Sequence, residues 1–184
     1  MDLREGTLPG LLRIRGKVHA DERGSFIEFW RESAFFPQGT RFLQDNVSRS
    51  VRGVLRGLHF QAGAHAQGKL VTVLAGSIFD VAVDLRPESP AFRRWEAATL
   101  SGCDGQALYL PPGLAHGFLV SSAEAVVLYK CTAEYEPAAE RGIRWDDPEL
   151  GIAWPFRPEL VSARDAALPS LRDWLATERE GEGA

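Results

Sequence analysis

At 184 residues, with 45% hydrophobic and 25% charged side chains, the chain is sized for one compact domain. A formal net charge of -4 and a pI near 5.6 argue against a general binder of nucleic-acid backbones, though a few basic residues could still line one anion pocket. No apolar run is long enough to span a bilayer. The opening MDLREGTLPG lacks the apolar stretch of a secretory signal, and Cys103 and Cys131 fit no zinc-ligand spacing, so a reduced, cytoplasmic protein is expected.

Taken from the N-terminus, the first element after the opening segment is a turn or two of helix over Arg31–Phe36. Strands dominate the middle. Lys69–Leu74 is rich in β-branched residues and leads through Ala75-Gly76-Ser77 into Phe79–Leu85, which alternates cleanly. Phe79, Val81, Val83 and Leu85 share one face of that strand, and Asp80 and Asp84 lie on the other. Ala107–Leu110 is a further strand, stopped by Pro111-Pro112-Gly113. Glu124–Thr132 follows, with Val127, Tyr129 and Cys131 on one side. Pro169 precedes an amphipathic helix over Ser170–Arg179, and Glu180–Ala184 reads as a frayed tail. Short strands punctuated by Gly and Pro point to an all-β barrel or double-sheet jelly roll with a few short helices.

Three stretches carry more polar chemistry than strand cores require: Gln44–Ser48 with Arg56–Gln61, Pro111–Phe118, and Tyr129–Thr132 with Tyr135 just beyond. In a small barrel such stretches can converge on one cavity. Residue by residue, plainer readings compete. A lone His59 between Leu58 and Phe60 is more often structural, Arg56 could simply pair with a carboxylate, Tyr129 could be core, and His116 could be a turn residue. His19 and His65 are assigned to the surface. A metal site would want several histidines and a carboxylate converging. Here the position alternating with His59 is Gln61, and no Glu follows nearby, so no metal is expected.

The run Arg56-Gly57-Leu58-His59-Phe60-Gln61, followed by Gln67-Gly68-Lys69-Leu70, Phe79–Arg86, Ser89-Pro90, Pro112–Phe118 and Leu128-Tyr129-Lys130, resembles the dTDP-4-dehydrorhamnose 3,5-epimerase family. The match begins near Asp21–Gly24 and continues through Trp145-Asp146-Asp147 and Trp154-Pro155 to Ser162–Ala167. Each motif alone is weak; the ordered set is specific. The resemblance implies a cupin-type jelly roll spanning 1–184, a homodimer to which the N-terminal strands (about 1–50) contribute, a C-terminal helical segment (about 163–180), and no metal or other cofactor. It implies a dTDP-linked 4-keto-6-deoxy sugar as substrate. His59 matches the family's base, Asp165 the residue orienting it, and Tyr129 the acid. Lys69 and His116 match residues at the sugar. Arg23, Glu28, Gln44, Asn46, Arg56 and Glu140 match contacts to the nucleotide, some made across the dimer, and Tyr135 an aromatic packed on its base. Arg164 stands where the family often has Lys, which keeps the charge and implies an altered diphosphate contact.

The chemistry is consistent with that set. A C4 ketone acidifies the hydrogens on C3 and C5, so inversion needs a base on one face, an acid on the other and a group that stabilises the enolate. Histidine suits the base because its ordinary pKa lies near neutrality. A buried Asp fixes its tautomer, Lys69 can hold the enolate oxygen, and arginine forks suit a diphosphate. Asp84 is a candidate to hydrogen-bond the site histidines, and Asp80 is given no catalytic part. The competing readings are an epimerase acting at C3 or C5 only, a metal-dependent cupin enzyme, and a non-catalytic sugar-binding barrel.

Overall fold

Period-two alternation sorts this chain into layers. In the computed structural model, which describes residues 2–34, 39–102 and 104–182, fourteen strands are assigned. They are β1 (Asp2–Glu5), β2 (Leu12–Arg15), β3 (Val18–Asp21), β4 (Gly24–Ile27), β5 (Gln44–Val51), β6 (Val54–Gln61) and β7 (Lys69–Ala75). After them come β8 (Ser77–Asp84), β9 (Trp95–Ser101), β10 (Gln106–Leu110), β11 (Leu114–Val120), β12 (Glu124–Cys131), β13 (Glu140–Gly142) and β14 (Leu160–Val161). Two helices, α1 (Ala163–Ala166) and α2 (Leu171–Glu182), close the chain.

One sheet runs β1-β2-β10-β7-β12-β5 and the other β13-β6-β11-β8-β9, with β14 added parallel to β6 and β3–β4 forming a separate hairpin. This is the expected jelly roll. Inward side chains of both sheets, among them Val71, Val73, Ile78, Ala82, Leu108, Phe118 and Val127, make the central core. The opposite face of β8, with Val81, Val83 and Leu85, packs with Leu58 and Phe60 against Leu171 and Trp174 of α2. The outer face of the first sheet is covered at Leu12, Ile14, Leu70 and Tyr109 by Phe29, Trp30 and Phe42. Each sheet is therefore apolar on both faces over part of its area.

Helix content follows local signals. Ser170 caps α2 by accepting from the Asp173 N–H at 3.1 Å, and the buried Asp147 carboxylate accepts from the Leu171 N–H at 2.8 Å. The helix continues to Glu182, past the expected end at Arg179, and residues 183–184 of the expected tail lie outside the described residues. The expected helix at Arg31–Phe36 is a short 3-10 turn, Glu32–Ala34; Phe36 and Cys103 lie outside the described residues. Among the described residues no helix is long and apolar enough to cross a membrane. His19 and His65 are exposed, as expected.

Candidate active site

The site begins with a bulge. Strict alternation along β6 would put Arg56 and His59 on opposite faces. Against β11, however, Arg56 pairs with Phe118 and His59 with His116, so three steps on one strand answer two on the other. Both side chains consequently line the same cavity. Gly57 makes this possible: its φ is 109°, and a Cβ there would lie 2.5 Å from the His116 carbonyl oxygen and 2.6 Å from Gly117 Cα.

Asp165 arrives from the other end of the chain. Strand β14 pairs with the start of β6, and the Ser162 hydroxyl accepts from the Asp165 N–H at 3.0 Å, which fixes α1 beside the bulge. Asp165 Oδ1 then lies 2.9 Å from His59 Nε2, and Oδ2 accepts from the Gly57 N–H at 3.2 Å. Burial pushes the Asp165 carboxyl up, but its bonds to His59, Gly57 and Ser162 outweigh that and hold it below the ordinary aspartate range. The pairing engages Nε2 and leaves Nδ1 as the ring atom of His59 available to a ligand.

Opposite β6, the inward residues of the first sheet supply Lys69 and Tyr129. Lys69 Nζ donates to the His59 carbonyl at 3.2 Å; burial lowers its pKa, and the fields of Cys131, Glu140 and Asp80 oppose the shift. Burial raises the Tyr129 phenol above its ordinary value. Cys131 and Glu140 push it the same way and Arg56 opposes them, so it stays protonated at neutral pH. His59, Lys69 and Tyr129 are shared by two adjoining cavities. The larger, about 480 Å³, adds Arg56, His116, Phe118, Arg164 and Asp165; the smaller, about 220 Å³, adds Gln44, Asn46, Cys131, Tyr135 and Glu140.

Around this center, Glu140 receives both the Tyr135 hydroxyl and the Arg164 guanidinium. Burial raises the Glu140 carboxyl, but these two bonds and the nearby His59 bring it below its ordinary value. Gln44 donates to Asn46 at 2.9 Å and accepts from the Tyr135 N–H at 2.8 Å. Arg56 Nε donates to the Ser50 hydroxyl at 3.1 Å.

Eleven of the thirteen residues expected at the site thus converge: His59, Lys69, Tyr129, Asp165, Arg56, His116, Gln44, Asn46, Tyr135, Glu140 and Arg164. Arg23 and Glu28 do not. Arg23 pairs with Asp21 in the exposed β3–β4 hairpin, and Glu28 pairs with Arg31. Their own chain's cavity is lined by other residues.

One expectation is corrected. Asp84 does not touch the histidines; it holds Arg86 and the Ser89 hydroxyl, being at the strand end where the chain turns back on it. Asp80, four residues earlier on the same inward face, takes that part, with Oδ2 2.7 Å from His116 Nε2. Asp80 and the neutral anchors Ser50 and Ser162 were missed as site residues, although the alternation of Phe79–Leu85 already put Asp80 on the face opposite Val81 and Val83.

Gln61 is spent on structure. Its amide donates to the carbonyls of His65 and Glu134 and accepts from the Glu136 N–H, tying down the loop that carries Tyr135. Among the described residues no three His, Cys, Asp or Glu side chains are grouped to hold a metal ion.

A jelly-roll cavity with a carboxylate-backed imidazole on one sheet and a protonated phenol on the facing sheet defines an acid–base isomerase. Comparison with known proteins makes the assignment specific. The family model described as dTDP-4-dehydrorhamnose 3,5-epimerase matches residues 5–173. The dTDP-4-dehydrorhamnose 3,5-epimerase of Salmonella typhimurium is 48% identical over 176 residues, covering 93% of this chain and 96% of that protein. A crystal structure of dTDP-6-deoxy-D-glucose-3,5-epimerase from Legionella pneumophila Philadelphia 1, in complex with dTDP-4-keto-L-rhamnose, superposes with a TM-score of 0.89 at 44% identity, covering 93% of each chain. ChmJ, a 3'-monoepimerase from Streptomyces bikiniensis in complex with dTDP-quinovose, superposes with a TM-score of 0.87 at 36% identity, over 95% of this chain and 89% of that one. The chain belongs to the dTDP-4-dehydrorhamnose 3,5-epimerase family.

Proposed function

We propose that this protein inverts C3 and C5 of dTDP-4-keto-6-deoxyglucose, producing the 4-keto-L-rhamnose sugar nucleotide by proton removal and return beside the C4 ketone. The observation that carries the reading is the His59–Asp165 pair facing a protonated Tyr129 across a cavity that Lys69 also lines. His59 Nδ1 takes the proton from the carbon next to the ketone, and Asp165 stabilises the resulting imidazolium through Nε2. Lys69 holds the enolate oxygen. Tyr129 delivers a proton from the opposite sheet and is reloaded from solvent. The ketone already makes these hydrogens acidic, so the step requires neither a metal nor a redox cofactor.

Nucleotide binding extends from this centre. Arg56 and Arg164 face the diphosphate, Gln44, Asn46 and Glu140 hold the nucleoside, Tyr135 packs on its base, and His116 contacts the sugar. Arg23 and Glu28 fit the same role only from a second copy of the chain. The β3–β4 hairpin that carries Arg23 also exposes Phe26, and the edge strand β5 with its preceding residue exposes Leu43, Val47 and Val51. We therefore read the protein as a homodimer of single-domain subunits whose N-terminal strands contribute to the contact. A cytoplasmic location goes with the buried free thiol of Cys131.

Inversion at both carbons is favoured over a single inversion because the family model and the Salmonella and Legionella relatives carry the 3,5 name, whereas ChmJ is described as a 3'-monoepimerase. Incubation with dTDP-4-keto-6-deoxyglucose in D₂O, followed by NMR, tests the reading. Deuterium at C3 and C5 is expected; label at one carbon assigns a single epimerase, and label at neither refutes the function.

A further inference from the structure

Behind the cavity wall lies a second histidine–carboxylate pair, whose histidine lines the cavity and whose carboxylate the reaction above leaves without a role. Asp80 has no solvent exposure, and its Oδ2 lies 2.7 Å from His116 Nε2. Its other oxygen, Oδ1, is buried with no hydrogen-bond partner. The protein's structural carboxylates look different. Glu96 is bonded to Thr7, Leu8 and Arg13, and Asp84 to Arg86 and Ser89, with both oxygens used in each case. Buried carboxylates that only brace a fold are normally satisfied in this way. Asp80 instead commits its hydrogen bonding to one imidazole.

The register explains why that imidazole matters. Asp80 pairs with Phe118 across β8–β11, which places it diagonally behind His116 on the inward face. On its other side, β11 pairs His116 directly with His59. The two histidines are therefore cross-strand neighbours, each gripped through Nε2 by its own aspartate, and both line the larger cavity with Lys69. With Nε2 engaged, Nδ1 is the remaining polar atom of His116. Lys69 Nζ, meanwhile, already donates to the His59 carbonyl.

We propose that Asp80 is a positioning residue for the epimerisation: it locks His116 through Nε2, directs Nδ1 at the sugar's C4 oxygen, and supplies the counter-charge when the ring carries two protons. His59–Asp165 is then the basic pair and His116–Asp80 the electrophilic pair, which shares the enolate oxygen with Lys69. This inference rests on the proposed epimerase function. It makes Asp80 matter to the chemical step and only through His116.

A double-mutant cycle tests it, using the full-length wild type, Asp80→Asn, His116→Gln and the double variant, with dTDP-4-keto-6-deoxyglucose as substrate. Asp80→Asn keeps the size of the side chain and is expected to lower kcat on the order of 10–100-fold, less than loss of an oxyanion donor itself, while KM moves less than about threefold. In the His116→Gln background the same change should alter kcat less than about twofold. A full wild-type kcat per folded protein in Asp80→Asn overturns the proposal, as does an undiminished loss in the His116→Gln background. Histidine ¹⁵N NMR on the wild-type protein gives a measurement independent of the variants' folding: a proton on Nε2 of His116 is expected, and a bare Nε2 overturns the proposal. If the wild type exchanges neither hydrogen, the epimerase reading itself fails. Exchange by the wild type with an unaffected Asp80→Asn refutes this inference alone.

Discussion

Replacing Asp165 with Asn probes the center of the proposed mechanism with the smallest change in shape. The carboxylate serves two donors: Oδ1 accepts from the His59 ring and Oδ2 from the Gly57 N–H. An asparagine has one acceptor oxygen, so one donor must meet an NH₂. If the oxygen stays at His59, the Gly57 N–H is left buried without a partner, at a cost of about 1–3 kcal/mol. For a domain of this length that corresponds to a Tm lower by roughly 2–12 °C. If the amide turns the other way, it donates to Nε2 and forces the proton onto Nδ1, the atom that must act as base. Either orientation also removes the charge that stabilises the imidazolium. Loss of general-base function is worth on the order of 10²–10⁴ in kcat, or about 2.7–5.4 kcal/mol of barrier. The assay is solvent deuterium exchange at C3 and C5 followed by NMR, with a thermal melt on the same preparation. Both exchange rates should fall together. An Asp165→Asn protein that is folded and exchanges at the wild-type rate would refute the assignment of His59–Asp165 as the basic pair.

Tyr129→Phe removes the acid while leaving the base, so net inversion should fall on the order of 10²–10⁴-fold while exchange at C3 and C5 falls less; equal losses, read in one NMR time course, would assign the tyrosine a different role. Arg56→Gln removes a guanidinium proposed to bind the diphosphate in both ground and transition states, so KM should rise about 10–100-fold with kcat nearly unchanged, as steady-state kinetics will show. Acid stability has a defined sign: burial raises Asp84, but its bonds to Arg86 and Ser89 outweigh this and leave its folded pKa below the ordinary value. Its contribution is therefore present above the unfolded value, about 3.9, and lost as the pH falls through the folded one. Thermal melts from neutral pH downward should steepen below about pH 4, and Asp84→Asn should flatten that slope.

Much of the site was legible through the ordered set of family motifs, since residue by residue His59, Arg56, Tyr129 and His116 admitted plainer readings. The alternation around Phe79–Leu85 placed Asp80 and Asp84 on the face opposite Val81 and Val83, and the structure agrees that both carboxylates leave the α2-facing side. Parity says nothing about where along the strand a partner waits. Asp84 ends β8, where the following turn brings Arg86 and Ser89 onto it, whereas Asp80 lies mid-strand within reach of His116. Parity also fails outright across Gly57, where the bulge returns Arg56 to the face of His59. The glycine itself was the available signal, since an isolated Gly in a strand pattern marks a bulge or a close backbone approach. Arg23 and Glu28 differ from these: the β3–β4 hairpin pairs only with itself, and both residues are exposed and engaged in local ion pairs, Arg23 with Asp21 and Glu28 with Arg31.

The charge distribution explains how a chain of net charge -4 can offer a site for a diphosphate sugar. Most guanidiniums are neutralised locally: Arg13 by Glu96, Arg49 by Glu124, Arg86 by Asp84, Arg144 by Asp146 and Arg172 by Glu149. Those pairs lie outside the cavity and leave little field within it. Arg164 is tied to Glu140, whose remaining charge is shared with Tyr135. Arg56 is different: its hydrogen bond goes to the neutral Ser50 hydroxyl, and among the described residues it makes no ion pair. The bulge at Gly57 turns that uncompensated guanidinium into the same space as His59. In the proposed function, a dianionic diphosphate anchored there presents its sugar to residues whose own charges are already committed, His59 to Asp165 and His116 to Asp80. Binding and chemistry are thereby separated along one strand. On that proposal, the bulge's three-residue step from Arg56 to His59 sets the distance between the anchor and the base.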